Sequence, residues 1–323
     1  MTTPKPVAVL DDYQQVAEGL VDWVGAGLAV TTFPRHISDE DELAEALAGF
    51  EIVVAIRERT PFPAELLRRL PDLRLLVTTG RRNAAIDVEA ATREGIVVCG
   101  TDSLVSPTVE LTWGLIIALT RNLVAEDTGM REGGWQHTLG EGLEGRTLGL
   151  LGLGRIGTRV AAVGQAFGME TIAWSQNLTV ERAAAVEVEA VDKAKLFADA
   201  DIVSVHVQLS ERSRGLVGAE ELGRLGPQGL LVNTSRAAIV DQEALVTALE
   251  DGTIGGAGLD VYGQEPLPVD DRLRSTPRTV LTPHLGYVTR QNYEVFFQGA
   301  LEDIEAYLAG QPIRVIDPPE PTA

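Results

Sequence analysis

Short β-branched runs alternate with helix-length amphipathic stretches along most of this chain. Residues 7–10, 28–33, 52–56, 73–77 and 96–98 read as strands, and the intervening 13–24, 39–48, 63–70 and 88–93 as helices. Apolar strands joined by helix-length crossovers predict a parallel sheet with helices on its faces. The alternation breaks near residue 106. Ser106 reads as an N-cap and Pro107 as the first helical residue of a helix whose body, 108–123, is apolar on most faces. Such a helix is expected to be buried, here between domains or subunits. Residues 124–146, rich in glycine and charge, read as an extended arm that packs on another subunit. A second series follows, with strands at 147–151, 171–174, 202–205, 230–233, 257–259 and 280–281, and helices at 155–167, 191–198, 219–225 and 242–250. The last long helix, 289–308, has no sheet of its own and is expected to return to the first series. The tail 317–323 carries three prolines and is expected to be loose.

Composition narrows the function classes. Apolar residues make up 45% of the 323, enough to bury cores, which excludes disorder as the main state. Lys and Arg number 27 against 47 Asp and Glu, a formal charge of −20, so nucleic acid is not an expected partner. No apolar run approaches the roughly 20 residues that span a bilayer, and no membrane partner is expected. The first residues lack the basic-then-apolar order of a secretion signal. The lone cysteine, Cys99, can form no internal disulfide, which favours a reducing compartment and a cytoplasmic location. It lies in a strand-like run and reads as a small buried side chain. No His or Cys pair has metal-ligand spacing, and no metal is expected.

The strongest local signal is Gly152-Leu153-Gly154-Arg155-Ile156-Gly157, which leaves a strand and opens a helix. In that context Gly152 allows the tight turn, Gly154 lets backbone approach a pyrophosphate, and Gly157 lets the helix sit close on the strand. Free N–H groups and the positive helix end then hold the phosphates. At the end of the next strand an NAD binder places a carboxylate on the ribose 2′-hydroxyl. This chain has Ser175, then Gln176 and Asn177, with no Arg or Lys directly after, so NAD and NADP both stay open.

Three later segments place polar residues just past strand ends, where ligands sit in open α/β sheets: Asn233-Thr234-Ser235-Arg236, Asp260 through Glu265, and His284-Leu285-Gly286. An arginine suits bidentate carboxylate capture, and a histidine beside a carboxylate suits proton exchange near neutral pH. His206, also at a strand end, either lines the nicotinamide ribose or makes a structural hydrogen bond.

Together, in this order after the glycine turn, these segments resemble the D-isomer-specific 2-hydroxyacid dehydrogenases over nearly the whole chain. The specific matches are the glycine turn, 200–210, 231–241, Gly258 through Pro268, and 281–289; residues 78–87 match in outline. The resemblance implies an α/β fold of two Rossmann-like, doubly wound parallel-sheet domains flanking a cleft. The substrate domain would be discontinuous, 1–104 plus 289–323, and the dinucleotide domain would be 105–288. It implies a homodimer through the long helix and the arm. It implies a catalytic set of Arg236, Glu265 and His284, and Asp260 orienting the nicotinamide carboxamide. It also implies a substrate loop, Gly80-Arg81-Arg82, offering backbone N–H groups to a carboxylate.

The expected cofactor contacts are Gly152, Gly154, Arg155, Ile156, Gly157, Ser175, Asn177, His206, Thr234, Asp260 and Gly286. The expected reaction is hydride transfer, with NAD or NADP, between a 2-keto acid and a D-2-hydroxy acid of the glyoxylate, hydroxypyruvate or 3-phosphoglycerate kind. A dinucleotide-sensing corepressor or scaffold, and phosphite oxidation, are the alternatives. The chain departs from the family pattern at Ser175, Gln208, Arg82 and Ala84, which bear on cofactor preference and substrate identity.

Overall fold

Strands whose every residue is apolar need cover on both faces, and that requirement organises the chain. The structure, a computed structural model, describes residues 3–318. They fall into two units, Met1–Leu104 with Thr289–Ala323, and Val105–Val288.

In the first unit β1 (Lys5–Val9), β2 (Leu28–Thr32), β3 (Ile52–Ala55), β4 (Leu75–Thr78) and β5 (Val97–Gly100) form a parallel sheet in the order β2-β1-β3-β4-β5. All of β3 and β4 is buried. The connecting helices are α1 (Ala17–Leu20), α2 (Glu40–Ala46), α3 (Ala64–Arg68) and α4 (Val88–Arg93), and the returning α12 (Arg290–Leu308) buries Phe296, Phe297, Ala300 and Ile304. The helix expected over 13–24 shrinks to α1. Asp12 accepts from the N–H groups of Val16 and Ala17, which starts the helix late, and Val21 is already extended.

The second unit begins with α5 (Ser106–Thr120) and α6 (Leu123–Arg131). A seven-stranded parallel sheet follows: β6 (Thr147–Leu151), β7 (Glu170–Trp174), β8 (Glu189–Ala190), β9 (Ile202–Val205), β10 (Leu230–Asn233), β11 (Gly256–Leu259) and β12 (Thr279–Leu281), ordered β12-β11-β10-β9-β6-β7-β8. Its helices are α7 (Arg155–Ala166), α8 (Val180–Ala184), α9 (Lys193–Asp199), α10 (Ala219–Leu225) and α11 (Gln242–Glu250). Alternation along β6 sends Leu148 and Leu150 into the core beneath α5 and α7, and Leu151 into the core on the opposite face. The elements α8 and β8 fall where no element was expected.

Three expectations change here. The N-cap of α5 is Val105, without a side-chain cap bond. Ser106 and Pro107 are already in the first turn, where proline's missing N–H costs nothing. The apolar α5 is buried by its own unit: Leu115 lies against Gly258, and Trp113 against Gly164 of α7. Residues 124–146 are not an extended arm throughout, because α6 occupies their start. The segment after it folds back, with the Glu126 carboxylate accepting from the N–H groups of His137 and Thr138 and from the Thr138 hydroxyl. The expected loose tail lies, from residue 319 on, outside the described residues.

Candidate active site

The glycine turn after β6 has the shape its spacing implies. Gly152 has φ +109°, and a Cβ there would come within 2.8 Å of the His206 carbonyl carbon. A Cβ on Gly157 would come within 2.1 Å of the Gly152 carbonyl oxygen, whereas Gly154 faces open space. The N–H groups of Leu153, Gly154, Arg155 and Ile156 have no partner among the described residues. Backbone donors converge there on a surface without side chains, which fits a pyrophosphate. Beneath the turn, His206 Nε2 lies 2.8 Å from Ser204 Oγ, the structural hydrogen bond that is one of its two readings. Burial pushes the imidazole down to about 4, so it is uncharged near neutrality. Thr234 is tied to α5: Thr112 donates to the Thr108 carbonyl, so Thr234 donates to Thr112 Oγ1 at 2.9 Å.

Past β10, β11 and β12 the three segments hold one another. Asn233 is buried; its Oδ1 accepts from Ser235 N–H, and its Nδ2 donates to the Arg236 carbonyl at 3.0 Å. This Asx turn presents the half-buried Arg236, whose guanidinium also donates to Ser235 O at 2.8 Å. Glu265 Oε2 lies 2.5 Å from His284 Nδ1, while its Oε1 accepts from Tyr262 N–H at 2.9 Å. Burial acts to raise the Glu265 pKa. The hydrogen bond and charge of His284, the Tyr262 N–H and Arg236 outweigh it, and the carboxyl is held below its usual range. His284 Nε2 has no hydrogen-bond partner among the described residues. The residue has φ +54°, and its ring meets the edge of Tyr287 at 5.2 Å.

Asp260, for which the resemblance implies the carboxamide contact, also holds the chain around it. Its side chain is wholly buried. Oδ1 accepts from Thr282 Oγ1 at 2.6 Å and Leu285 N–H at 2.7 Å, and Oδ2 from Gly286 N–H at 2.8 Å. It ties down the loop that carries His284. Burial raises its pKa against those bonds. Gly286 is glycine for a packing reason: a Cβ would sit 3.0 Å from Asp260 Oδ2. Tyr262 braces the same corner, donating to the carbonyls of Leu259 and Thr282.

In the other unit the loop after β4 is partly committed. The Gly80 N–H, expected to face a carboxylate, donates to Thr101 Oγ1 at 2.9 Å. Arg81 is exposed and paired with Asp102 at 2.6 Å, so its side chain is not a free cation. The N–H groups of Arg81 and Arg82, and the Arg82 guanidinium, have no partner among the described residues. Sequence reasoning misses Arg57, which has φ +54°, lies on the open face of Gly80 and donates to the Thr79 carbonyl at 3.2 Å. It also misses Asn83, which bonds the Arg57 carbonyl and Thr78 Oγ1. The signal for Asn83 is an Asn in a tight turn; Arg57 has none, because a positive φ on arginine leaves no mark in sequence. Cys99 is buried as expected, and burial pushes its thiol up to about 12. No group of three or more metal-ligating side chains occurs among the described residues, and no described helix is long and apolar enough to cross a membrane.

Residues 113–286 match the model for the D-isomer specific 2-hydroxyacid dehydrogenase NAD binding domain. A glyoxylate reductase of Aeropyrum pernix is 39% identical over 76% of this chain and 77% of its own length. One from Korarchaeum cryptofilum is 36% identical over 78% of each. The crystal structure of a phosphoglycerate oxidoreductase from Vibrio cholerae superposes with a TM-score of 0.91 at 39% identity, covering 95% of this chain and 99% of that one.

Proposed function

The chain belongs to the D-isomer-specific 2-hydroxyacid dehydrogenases and interconverts a 2-keto acid with a D-2-hydroxy acid using NAD(P), and from that premise we propose that it reduces a small keto acid such as glyoxylate or hydroxypyruvate. The observation that carries this reading is the Glu265–His284 pair, whose imidazole keeps Nε2 unbonded beside an arginine-bearing loop. Residues 105–288 take the dinucleotide domain, and 1–104 with 289–323 the substrate domain.

A reduced nicotinamide, when held there, would supply a hydride to the keto carbon. An alkoxide would form as it arrives, so protonated His284 gives its Nε2 proton to that oxygen. Glu265 holds the opposite ring nitrogen, fixing the orientation and favouring the charged form. Arg236 grips the substrate carboxylate and polarises the keto oxygen. Asp260 acts one step back, as a positioning residue that sets the His284 loop. The Arg81 and Arg82 N–H groups serve the substrate carboxylate. Gly152, Gly154, Arg155, Ile156 and Gly157 hold the pyrophosphate; Ser175 and Asn177 take the adenosine ribose side. The pairing of Arg81 with Asp102 removes one cation from the substrate loop, which favours a small substrate over a phosphorylated one.

The assembly reading narrows from the long helix and the arm to α6 and the loop after it. Val124 (57% exposed), Met130 (52%), Trp135 (73%) and Leu139 (92%) form an apolar series on α6 and the loop that follows. A homodimer covering these residues is the reading they support. A cytoplasmic location is the reading that the lone cysteine supports. The test is turnover of glyoxylate, hydroxypyruvate and phosphohydroxypyruvate by the full chain with each cofactor. A preference for phosphohydroxypyruvate would overturn the substrate assignment.

A further inference from the structure

The unit 105–288 has a concavity at the end of its sheet away from the glycine turn. A cavity of about 230 Å³ lies between the C-terminal end of α5, the segment after α6, and the residues that lead into β6, β10, β11 and β12. Leu119, Leu139, Leu230 and Ile254 give it apolar walls. The segments carrying Arg236, Glu265 and His284 leave the opposite ends of β10, β11 and β12.

The charge of this cavity runs against that of the chain. In a protein of net charge −20, its lining carries two arginines, Arg146 and Arg278, against one carboxylate, Glu141. Glu141 is committed to Arg146 at 2.6 Å, which leaves Arg278 as the cation in excess. Unpaired arginines are common on this surface; the distinction of Arg278 is where its head lies. Both terminal nitrogens are 3.8 Å from the place that a Cβ on Gly252 would take, and Gly252 is part of the lining. Arg278 has φ +58°, a conformation that L residues disfavour, and it is held there by its carbonyl, which accepts from Ala257 N–H at 3.0 Å. Two amides join it. Asn122 is the N-cap residue of α6, a place where asparagine ordinarily caps, yet its side chain makes no cap bond. The side-chain amides of Asn122 and Gln228 both line the cavity and have no hydrogen-bond partner among the described residues.

We propose that this cavity binds a short aliphatic monocarboxylate, at a site separate from the catalytic pair. Volume sets the size of the ligand. A water's share of the liquid is about 30 Å³, so the space suits a molecule of roughly eight heavy atoms. Chemistry sets its class. The planar fork of Arg278 matches a carboxylate, and the amide N–H groups of Asn122 and Gln228 can serve the same oxygens. One cation in excess matches one negative charge. The leucine and isoleucine walls offer no donors, so they suit an aliphatic body and would strip water from a polyanion such as phosphate without replacing it.

The test is calorimetric titration of the full chain with 4-methylpentanoate, with its neutral amide 4-methylpentanamide, and with inorganic phosphate. The carboxylate should bind at least about tenfold more tightly than the amide, as expected for a charge-assisted contact. It should also bind more tightly than phosphate. Arg278→Gln should erase the advantage of carboxylate over amide. Gln228 is exposed, so Gln228→Trp fills the cavity from its rim and should weaken the carboxylate at least about tenfold. Arg236→Gln removes the cation near the catalytic pair and should leave the Kd within about twofold. Both cavity variants change exposed residues, and melting curves that overlay the parent's are the control for folding. Equal affinity for carboxylate and amide in the parent, or tighter binding of phosphate, overturns the ligand assignment. Binding that survives Arg278→Gln and Gln228→Trp but is lost in Arg236→Gln places the carboxylate at the catalytic pair and overturns the site. Absence of binding by any probe, as when a second copy of the chain fills the cavity past Leu139, overturns it as well.

Discussion

Each unit contains a carboxylate–histidine pair, and the two are built for different ends. In the first unit Asp11 Oδ1 lies 3.0 Å from His36 Nδ1; in the second, Glu265 Oε2 lies 2.5 Å from His284 Nδ1. The Asp11 side chain is 1% exposed and has further partners from several loops. Thr60 Oγ1 donates to Oδ2 at 2.6 Å, Tyr13 reaches Oδ1 at 3.4 Å, and Arg59 donates to the Asp11 carbonyl. It is a brace joining the segments after β1, β2 and β3. Glu265 is 26% exposed, accepts one backbone N–H besides the imidazole, and feels the charge of Arg236. A carboxylate divided among several side chains stiffens the fold. One devoted to a single imidazole controls the charge on that ring. The pairing alone does not identify chemistry; what else the carboxylate holds does.

The comparison breaks most readily at the histidines. His284→Ala should lower kcat by at least about 10²-fold, the usual loss for a general acid, with dinucleotide binding retained. His36→Ala should leave kcat within about threefold and lower the unfolding free energy by about 1–2 kcal/mol, because a buried carboxylate loses a donor. Steady-state rates and urea melts on both variants decide it. A catalytic loss of similar size in His36→Ala would erase the distinction between the two pairs.

Arg236→Ala comes next. It should raise KM and lower kcat together, with kcat/KM down by about 10–100-fold, since the guanidinium binds the carboxylate in both states and stabilises the charge on the keto oxygen only in the transition state. A change in KM alone would restrict Arg236 to binding.

A smaller effect sharpens the role of Glu265. Its partners hold its carboxyl low, so it stays charged as pH falls into the acid range. Reduction needs the protonated imidazole, so its rate falls as pH rises. Removing the carboxylate in Glu265→Gln should move that fall to lower pH, and the oxidative limb should move the same way. Asp11→Asn should leave both limbs in place. Stationary limbs in Glu265→Gln, measured with initial rates across pH, would reduce Glu265 to a structural partner of the loop.

Much of this contrast is legible in the amino-acid sequence, and the exceptions share a cause. The strands, the glycine turn and the segments carrying Arg236, Glu265 and His284 follow local rules of period, spacing and position after a strand. Asp260 is legible as a polar residue at a strand end, but its task is not, because its three donors come from Thr282, Leu285 and Gly286, more than 20 residues on. His36 carries no local signal for the same reason: Asp11 lies 25 residues before it. The helix expected over 13–24 is too long because its apolar pattern is real, while Asp12 and the extended Val21 confine the helical turn to four residues. Pattern locates elements and strand-end residues; pairing across long sequence distances decides what each residue does.

The smallest effect concerns a third carboxylate with a cationic partner, and it inverts the behaviour of Glu265. Asp303 on α12 is wholly buried; its Oδ1 accepts from Arg314 Nε at 2.9 Å, and its Oδ2 has no partner among the described residues. Arg314 divides its charge with Glu302 at 2.9 Å and donates to the Gly299 carbonyl. Burial therefore prevails over the arginine and pushes the Asp303 pKa up to about 6, whereas at Glu265 the partners prevail. The folded chain thus holds this proton to higher pH than the unfolded chain does. The resulting stability is complete below about pH 4, the ordinary carboxyl range, and is lost as pH rises through about 6. Asp303→Asn keeps an acceptor for Arg314 and removes the titration. From pH 7 to pH 5 the parent should gain about 1 kcal/mol of unfolding free energy relative to the variant, read from paired urea melts. A difference that stays flat over that interval would mean that Arg314 keeps Asp303 charged throughout. The two carboxylates would then differ in exposure but not in which force wins.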